Sequence, residues 1–432
     1  MLLRLFLLSG LLLSAAAQAK LEITVSGGSE GALPIAVVPF ALVDGETKTD
    51  IADVIAGDLQ RSGSFKPMDS QRMPQQPQSG RDINFAAWRD TGVKHMVVGR
   101  GQMGPGGELV VEFQLFDIFS GRQLTGYSIP TTPERMRRVA HQISDIIYEK
   151  LTGQRGAFNT YVAYVTVEDD GKGSVYRLAI ADADGFNEQL ILTSMQPLMS
   201  PTWSPDGSKL AYVSFEKGRS LVFMQDVTSG ERSLLAEFKG LNSAPRFSPD
   251  GRTLALTLSR DGNPEIYLMD LRSRNLTRLT HSHGIDTEAV FAPDGGAVFF
   301  TSDRGGKPQI YRLALKNSRP DGRPQRVTYE GRYNVRATLS PDGKQLAFVH
   351  GDGKRFRIAV QDLASGNLRV LSSTSYDESP SFAPNGSMII YATDRNNRGV
   401  LEAVSVDGGA HQRLGLNRGD VREPAWSPYL SK

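Results

Sequence analysis

Four short patterns in this chain have residue types and spacing that could do chemistry. Gly27-x-Ser29-x-Gly31 has the spacing of a hydrolase nucleophile elbow, in which a serine sits on a sharp turn between a strand and a helix. The segment after it, Leu33 to Val38, reads as a strand, so the helix is missing and no serine nucleophile is expected. Gly99-x-Gly101-x-x-Gly104 spells a dinucleotide fingerprint, but Pro105, Gly106, Gly107 and another apolar run follow. No helix N-terminus is left to receive a pyrophosphate, and a hairpin turn is expected instead. His281-x-His283 could offer two imidazoles to a metal, with Asp286 and Glu288 close in sequence. A third ligand at metal spacing is not assured, and a solvated loop is the reading. Asp182-x-Asp184-Gly185 resembles the opening of a calcium loop without the rest of it, which leaves a strand-end turn. No catalytic residue, cofactor or metal is therefore expected.

The elements that carry these patterns repeat. Trp203 to Gly207 reads Trp-Ser-Pro-Asp-Gly, and variants recur at Phe247 to Gly251, Phe291 to Gly295, Leu339 to Gly343 and Phe382 to Gly386. A sixth copy, Trp426 to Tyr429, is cut short by the chain end. Successive copies lie about 44 residues apart, a period of propeller blades or helical arrays. Pro-Asp-Gly makes a tight turn, because Pro fixes φ, Asp bonds its own backbone and Gly accepts positive φ. Apolar runs such as Leu210 to Val213 and Leu254 to Leu258 follow the turns and complete hairpins. Four short runs per repeat, with no helix-length apolar stripe, select an all-β propeller.

The ends of the array predict how it closes. Tyr161 to Val165 starts in mid-repeat without a Pro-Asp-Gly turn before it, and Pro424 to Ser427 supplies an innermost strand without the rest of a blade. The two halves are expected to share one blade, the C-terminal strand pairing beside Ala163 to Thr166. That gives a sealed six-bladed ring and removes strand edges that would invite aggregation.

Before the repeats, Met1 to Ala19 reads as a secretion signal: Arg4, an apolar core from Leu5 to Leu13, and Ala17-Gln18-Ala19 for cleavage after Ala19. The core is too short for the roughly 20 residues of a bilayer span. The 432 residues contain no cysteine, which excludes disulfides, a thiol nucleophile and a cysteine-linked lipid anchor. Lysines and arginines number 49 against 47 acidic residues, and no basic stripe with interleaved aromatics suggests nucleic acid. A soluble exported protein, monomeric and without stable membrane insertion, is expected. Leu21, Glu22, Ile23, Thr24 and Val25 can form a short strand, and Ser26, Gly27 and Gly28 begin a flexible hinge behind it. Such a tail can detach and serve a partner as a strand-like peptide.

From Pro34 to about Gly153 the pattern is mixed. Ile35 to Phe40 reads as a buried strand, and Asp50 to Arg61 as a helix capped by Asp50 with Ile51, Val54, Ile55 and Leu59 on one stripe. A short helix at Phe85 to Thr91, strands at Met96 to Arg100, Leu109 to Phe116 and Leu124 to Tyr127, and a helix from Pro133 to Leu151 follow. The expected division is a leader at 1–19, a tail at 20–32, an α/β domain at 33–153, a linker at 154–160 and the propeller at 161–430.

In a four-stranded blade, the loops leading into the innermost strands share one face with the loops between second and third strands. The first set carries Met199, Ser200, Asn242, Ala244, Asp286, Thr287, Glu288, Asn334, Arg336, Asp377, Glu378 and Arg422. The second set carries Arg219, Arg260, Arg304, Lys307, Lys354 and Arg395. Acidic groups near the axis with basic groups outside them are expected, a ring suited to a polar protein partner.

A leader, a Gly-rich tail, a small α/β domain and six Ser-Pro-Asp-Gly blades in this order resemble the TolB family, periplasmic components of the Tol-Pal system. The resemblance is carried by Leu33 to Phe40, Asp286-Thr287-Glu288, Thr301 to Gly305 and Glu423 to Leu430, while Leu339, Asn385 and Tyr429 depart from the turn pattern. It implies a non-catalytic scaffold that binds the lipoprotein Pal on the ring face, with Thr287 and Glu288 foremost. It also implies that the tail binds the C-terminal domain of TolA, that the protein supports outer-membrane integrity and cell division, and that bacteriocins exploit the same face. The alternative is a secreted hydrolase or carbohydrate-binding propeller.

Overall fold

The computed structural model describes residues 31–42, 50–104, 108–169, 171–416 and 419–430. The leader, the cleavage position at Ala19, Ser29 and the tail Leu21 to Gly28 lie outside them. The N-terminal α/β region contains β1 (Leu33–Val37), β2 (Ala41–Leu42), α1 (Ile51–Arg61), β3 (Phe65–Pro67), α2 (Phe85–Arg89), β4 (His95–Met103), β5 (Leu109–Asp117), β6 (Gln123–Thr131) and α3 (Met136–Thr152). Its sheet runs β3-β1-β4-β5-β6 with β2 beside β4, parallel at β3-β1-β4 and antiparallel from β4 onward. α1 and α3 cover one face, where Ile35, Ile55, Leu59, Phe113, Ile143 and Ile147 are buried together. Trp88 of α2 anchors a smaller apolar cluster with Val98 and Phe116.

Local chemistry sets these boundaries. Asp50 accepts N–H bonds from Ala52 at 2.9 Å and Asp53 at 3.2 Å, capping α1 as its position in sequence predicts. α3 stops where Gly153 turns left-handed at φ 75° and donates to the Glu149 carbonyl. Gly99 and Gly101 are strand residues of β4, and Gly104 opens the hairpin by donating to Glu108 at 2.7 Å. A Cβ on Gly99 would lie 2.3 Å from the Phe40 ring, so this glycine is required for packing. β4, β5 and β6 each run nine residues, longer than their apolar runs, because the antiparallel pairing carries on through half-buried and exposed positions at their ends.

The rest is a six-bladed β-propeller of antiparallel four-stranded sheets, one of which carries an extra hairpin strand at Arg319–Pro320. The closing blade takes Asp420–Trp426 as its innermost strand, paired in register Val421 to Thr166 and Ala425 to Ala163. This is the closure expected from the two half-repeats. The Pro-Asp-Gly turns work as expected and explain the serine before them. Ser204 Oγ accepts the Lys209 N–H at 2.9 Å, Asp206 accepts from Ser208 at 3.0 Å, and Gly207 sits at φ 71°. The same serine bond recurs at Ser248 to Thr253 and Ser340 to Gln345.

A buried charge cluster joins the two regions. From α1 and α3 come Asp58, Arg61, Arg137 and His141; from the turn after the third strand of the closing blade come Asp182 and Asp184. Arg61 pairs with Asp58, Arg137 with Asp184, and His141 Nδ1 lies 2.7 Å from Asp58. The Asp182-x-Asp184-Gly185 turn is thus a strand-end turn whose carboxylates also latch the α/β region. Farther along, Asp145 of α3 accepts N–H bonds from Phe158 at 2.7 Å and Asn159 at 3.3 Å, and Arg155 lies over the Tyr429 ring at 3.6 Å. No helix among the described residues is long and apolar enough to cross a membrane.

Candidate functional site

The loops leading into the innermost strands follow one plan in every blade, and the plan sorts the residues singled out in sequence by position. Each innermost strand carries a bulge, and at each bulge one non-glycine residue turns left-handed. These are Ser200, Ala244, Glu288, Arg336, Ser379 and Glu423, with φ between 47° and 57°. Such a backbone costs about 1 kcal/mol or more per residue. All six line an axial cavity of about 50 Å³, each followed by a proline or alanine that also lines it.

Two residues before each bulge residue the side chain is buried, apolar at Leu198 and Val421 and, in the other four blades, polar and bonded so that it holds the loop. Asn242 donates to the carbonyls of Phe238 and Gly240, and Asn334 donates to Gln309 and the Glu330 carbonyl. Asp377 accepts from Ser372, Thr374 and Thr393. Asp286 is fully buried against Arg304, and burial raises its pKa despite that partner. These four residues therefore shape the face from beneath. The residues between, Met199, Thr287, Glu378 and Arg422, form the rim; Met199 and Arg422 are exposed, Thr287 and Glu378 half-buried.

At the axis the arrangement corrects the expectation of acid inside and base outside. Arg336 sits among the bulge residues and donates to Glu288 at 3.0 Å and to Glu423 at 3.0 and 3.1 Å, with a further bond to Ser379. Glu423 above all, then Glu288, holds the Arg336 pKa above its ordinary value. Bulges bring residues 48 and 87 positions from Arg336 to one point, which local spacing along the chain cannot display. Glu288 is therefore a paired carboxylate, bonded as well to the Arg336 N–H and the Thr301 hydroxyl. Farther out, Arg219 pairs with Glu237 and Arg395 with Glu402, so these bases carry their own counter-charges.

Large apolar side chains also stand on this face, and the sequence reading passed over them. Tyr376 is 66 % exposed, Ile285 47 %, Phe356 37 % and Tyr333 36 %. Tyr333 and Phe356 meet edge to face at 5.2 Å between ring centres, while Phe356 bridges to Tyr376 through backbone bonds with Ser375 and Asp377. The signal was their place directly before the loop-holding residues, at Tyr333-Asn334 and Tyr376-Asp377. His281 and His283 are both exposed on the loop before Asp286. Among the described residues, Asp58, His141 and Asp184 have the ligand types and spacing that could hold a metal. Arg61 and Arg137 already supply cations to those carboxylates, which makes an ion-pair latch the better account.

The chain matches the TolB beta propeller domain over residues 148–430 and the TolB amino-terminal domain over residues 21–124. It is 55 % identical over 422 residues to the Tol-Pal system protein TolB of Xanthomonas oryzae pv. oryzae (strain PXO99A), covering 96 % of this chain and 95 % of that one. It is 56 % identical over 422 residues to the Tol-Pal system protein TolB of Thioalkalivibrio sulfidiphilus, covering 97 % and 96 %. The crystal structure of TolB from Acinetobacter baumannii superposes with a TM-score of 0.85 at 41 % identity, over 95 % of this chain and all of that one. With both regions matched and near full-length identity above half, the chain belongs to the TolB family of Tol-Pal system proteins.

Proposed function

We propose that the chain is a non-catalytic periplasmic scaffold, holding the lipoprotein Pal on its rim face and the C-terminal domain of TolA on the segment Leu21 to Gly28. The observation that carries the Pal half is the exposed group Tyr333, Phe356 and Tyr376, with Met199 and Ile285, on loops fixed from beneath by buried polar side chains. Rigid aromatic side chains held in solvent are what a partner buries at the centre of an interface. Family membership narrows that partner to the Tol-Pal system. In this reading Met199, Thr287, Glu378 and Arg422 touch the partner, and Ser200, Ala244, Glu288 and Arg336 form the floor of the depression. Asn242, Asp286, Asn334 and Asp377 keep the loops in shape.

The TolA half rests on the short apolar strand and glycine hinge read from sequence. Cleavage after Ala19 frees that tail in the periplasm, and the division into leader 1–19, tail 20–32, α/β domain 33–153, linker 154–160 and propeller 161–430 belongs to the same proposal. A monomer bridging Pal and TolA would serve outer-membrane integrity and cell division, and imported bacteriocins would compete for the rim.

Calorimetric titration tests both halves. Replacing Phe356 and Tyr376 together by Ala is expected to weaken Pal binding about tenfold or more, with TolA binding unchanged. Deleting residues 20–26 is expected to abolish TolA binding and leave Pal binding intact. An unchanged Pal affinity in the aromatic variant removes Pal from this face, and loss of both partners on deletion of the tail rejects separate sites.

A further inference from the structure

Arg246 divides the propeller channel. On one side it lines the axial cavity of about 50 Å³ beneath the rim; on the other it lines a cavity of about 390 Å³ among the Pro-Asp-Gly turns, on the opposite face. The larger cavity is within the size range of small-molecule sites. Its walls combine hydroxyls, Thr202, Thr338 and Ser381, with the rings of Trp203, Phe382 and Trp426. Arg246 is its charged lining residue among those described, and none of its lining residues is a carboxylate.

The cation there is under-used. A guanidinium carries five N–H donors, yet the Arg246 side chain makes one hydrogen bond among the described residues, to Thr202 Oγ1 at a long 3.4 Å. The carboxylates nearest along the axis, Glu288 and Glu423, are both engaged by Arg336. Withdrawal from solvent, and then the Arg336 charge, depress the Arg246 pKa. A positive charge in such a place is stabilised by an anion that brings its own paired oxygens.

We propose that this cavity is a binding site for a carboxylate with an apolar body, the head group bidentate on Arg246 and the body against Trp203, Phe382 and Trp426. One arginine suits a monoanion; a phosphate dianion would call for more positive charge than the lining supplies. The carboxylate can come from a free organic acid or from the C-terminus of a peptide. Either would enter from the face opposite the rim, so occupancy does not depend on the partner reading above.

The full chain is titrated calorimetrically with benzoate, inorganic phosphate, and a Phe-terminated tripeptide as free acid and as amide. Benzoate is expected to bind saturably with a Kd of about 1 mM or tighter. Arg246→Gln should weaken it at least tenfold and Arg246→Lys less, both melting as the native protein does. If these variants fail to fold, the native chain still decides: a crystal soaked in benzoate should show its carboxylate on Arg246. Tighter binding of the peptide acid than of benzoate, with no binding of its amide, supports the site and names a chain terminus as the source. The proposal falls if native protein takes up no benzoate saturably, if Arg246→Gln binds it equally, if the amide peptide binds and does so as tightly as the acid, or if phosphate binds as well as benzoate; benzoate bound with neither peptide bound supports the site and names a free acid as the source.

Discussion

Asp145 shows how much one buried carboxyl can do at the junction of two regions. It accepts two backbone N–H groups from the segment leading into the propeller, and a Cβ on Gly156 would meet its Oδ1 at 2.4 Å, so the chain is drawn tightly over it. Burial pushes its pKa up to about 7, the Asp58 charge adds to the rise, and the two N–H bonds oppose it. The folded state therefore keeps a proton that the unfolded chain, near its ordinary value of 3.8, has released. The stability gained from that proton is complete below pH 3.8 and is lost as the pH rises through about 7. Asp145→Asn imitates the protonated form at every pH. Urea unfolding should then show the variant gaining on the native chain between pH 4 and pH 7, by an amount on the order of a few kcal/mol. A constant difference across that range would mean that Asp145 is ionised in the fold.

At the scale of elements, the turn Asp182 to Gly185 fastens the helices α1 and α3 to the closing blade. Asp184 is almost wholly buried, pairs with Arg137 and lies 3.9 Å from Arg61. Asp184→Ala would take from Arg137 its closest counter-charge, leaving it Asp182 at 3.7 Å while Arg61 keeps Asp58, a loss of about 1–3 kcal/mol for a charged hydrogen bond removed from a buried site. Scanning calorimetry should show the α/β region melting in a separate, earlier transition while the propeller transition stays in place; a single transition at the native temperature would show that the latch contributes nothing. This latch was not legible in the sequence, because Asp58 and His141 are 83 residues apart and Arg61, Arg137 and His141 all meet a turn in another region. The turn itself was legible, as were the Asp50 cap, the Gly153 stop and every Pro-Asp-Gly hairpin, since each is written in a few consecutive residues. β3 escaped notice because Phe65, Lys66 and Pro67 carry no alternation and join the sheet only through parallel pairing to β1. The rim was half legible: its loops could be located by counting strands, but not which side chains turn inward to hold them.

For the whole molecule, closure of the ring is what makes the other features affordable. Six left-handed bulge residues converge on one axis, and the ion pairs of Arg336 reach across it from Glu288 to Glu423, the latter on the strand contributed by the chain end. That strand also supplies the Ala425 carbonyl to the Trp203 indole N–H at 2.9 Å, and the Trp426 N–H donates to Ser381 at 2.9 Å. Just after it, Ser427 exchanges hydrogen bonds with Tyr161 at 2.8 and 3.0 Å. Neighbouring blades on both sides therefore depend on it, and an open edge from Val162 to Val167 would replace it if it were absent. Removing residues 420–432 should abolish the cooperative melt of the propeller and drive the chain into aggregates, well beyond the loss expected from a few exposed side chains. A synthetic peptide spanning residues 419–430, added in trans, should restore the melt by occupying the vacant edge as a donated strand. A truncated chain that still melts as the native one does would show that the six blades hold together by their side-to-side packing alone, and that the seam between Ala163 and Ala425 is dispensable.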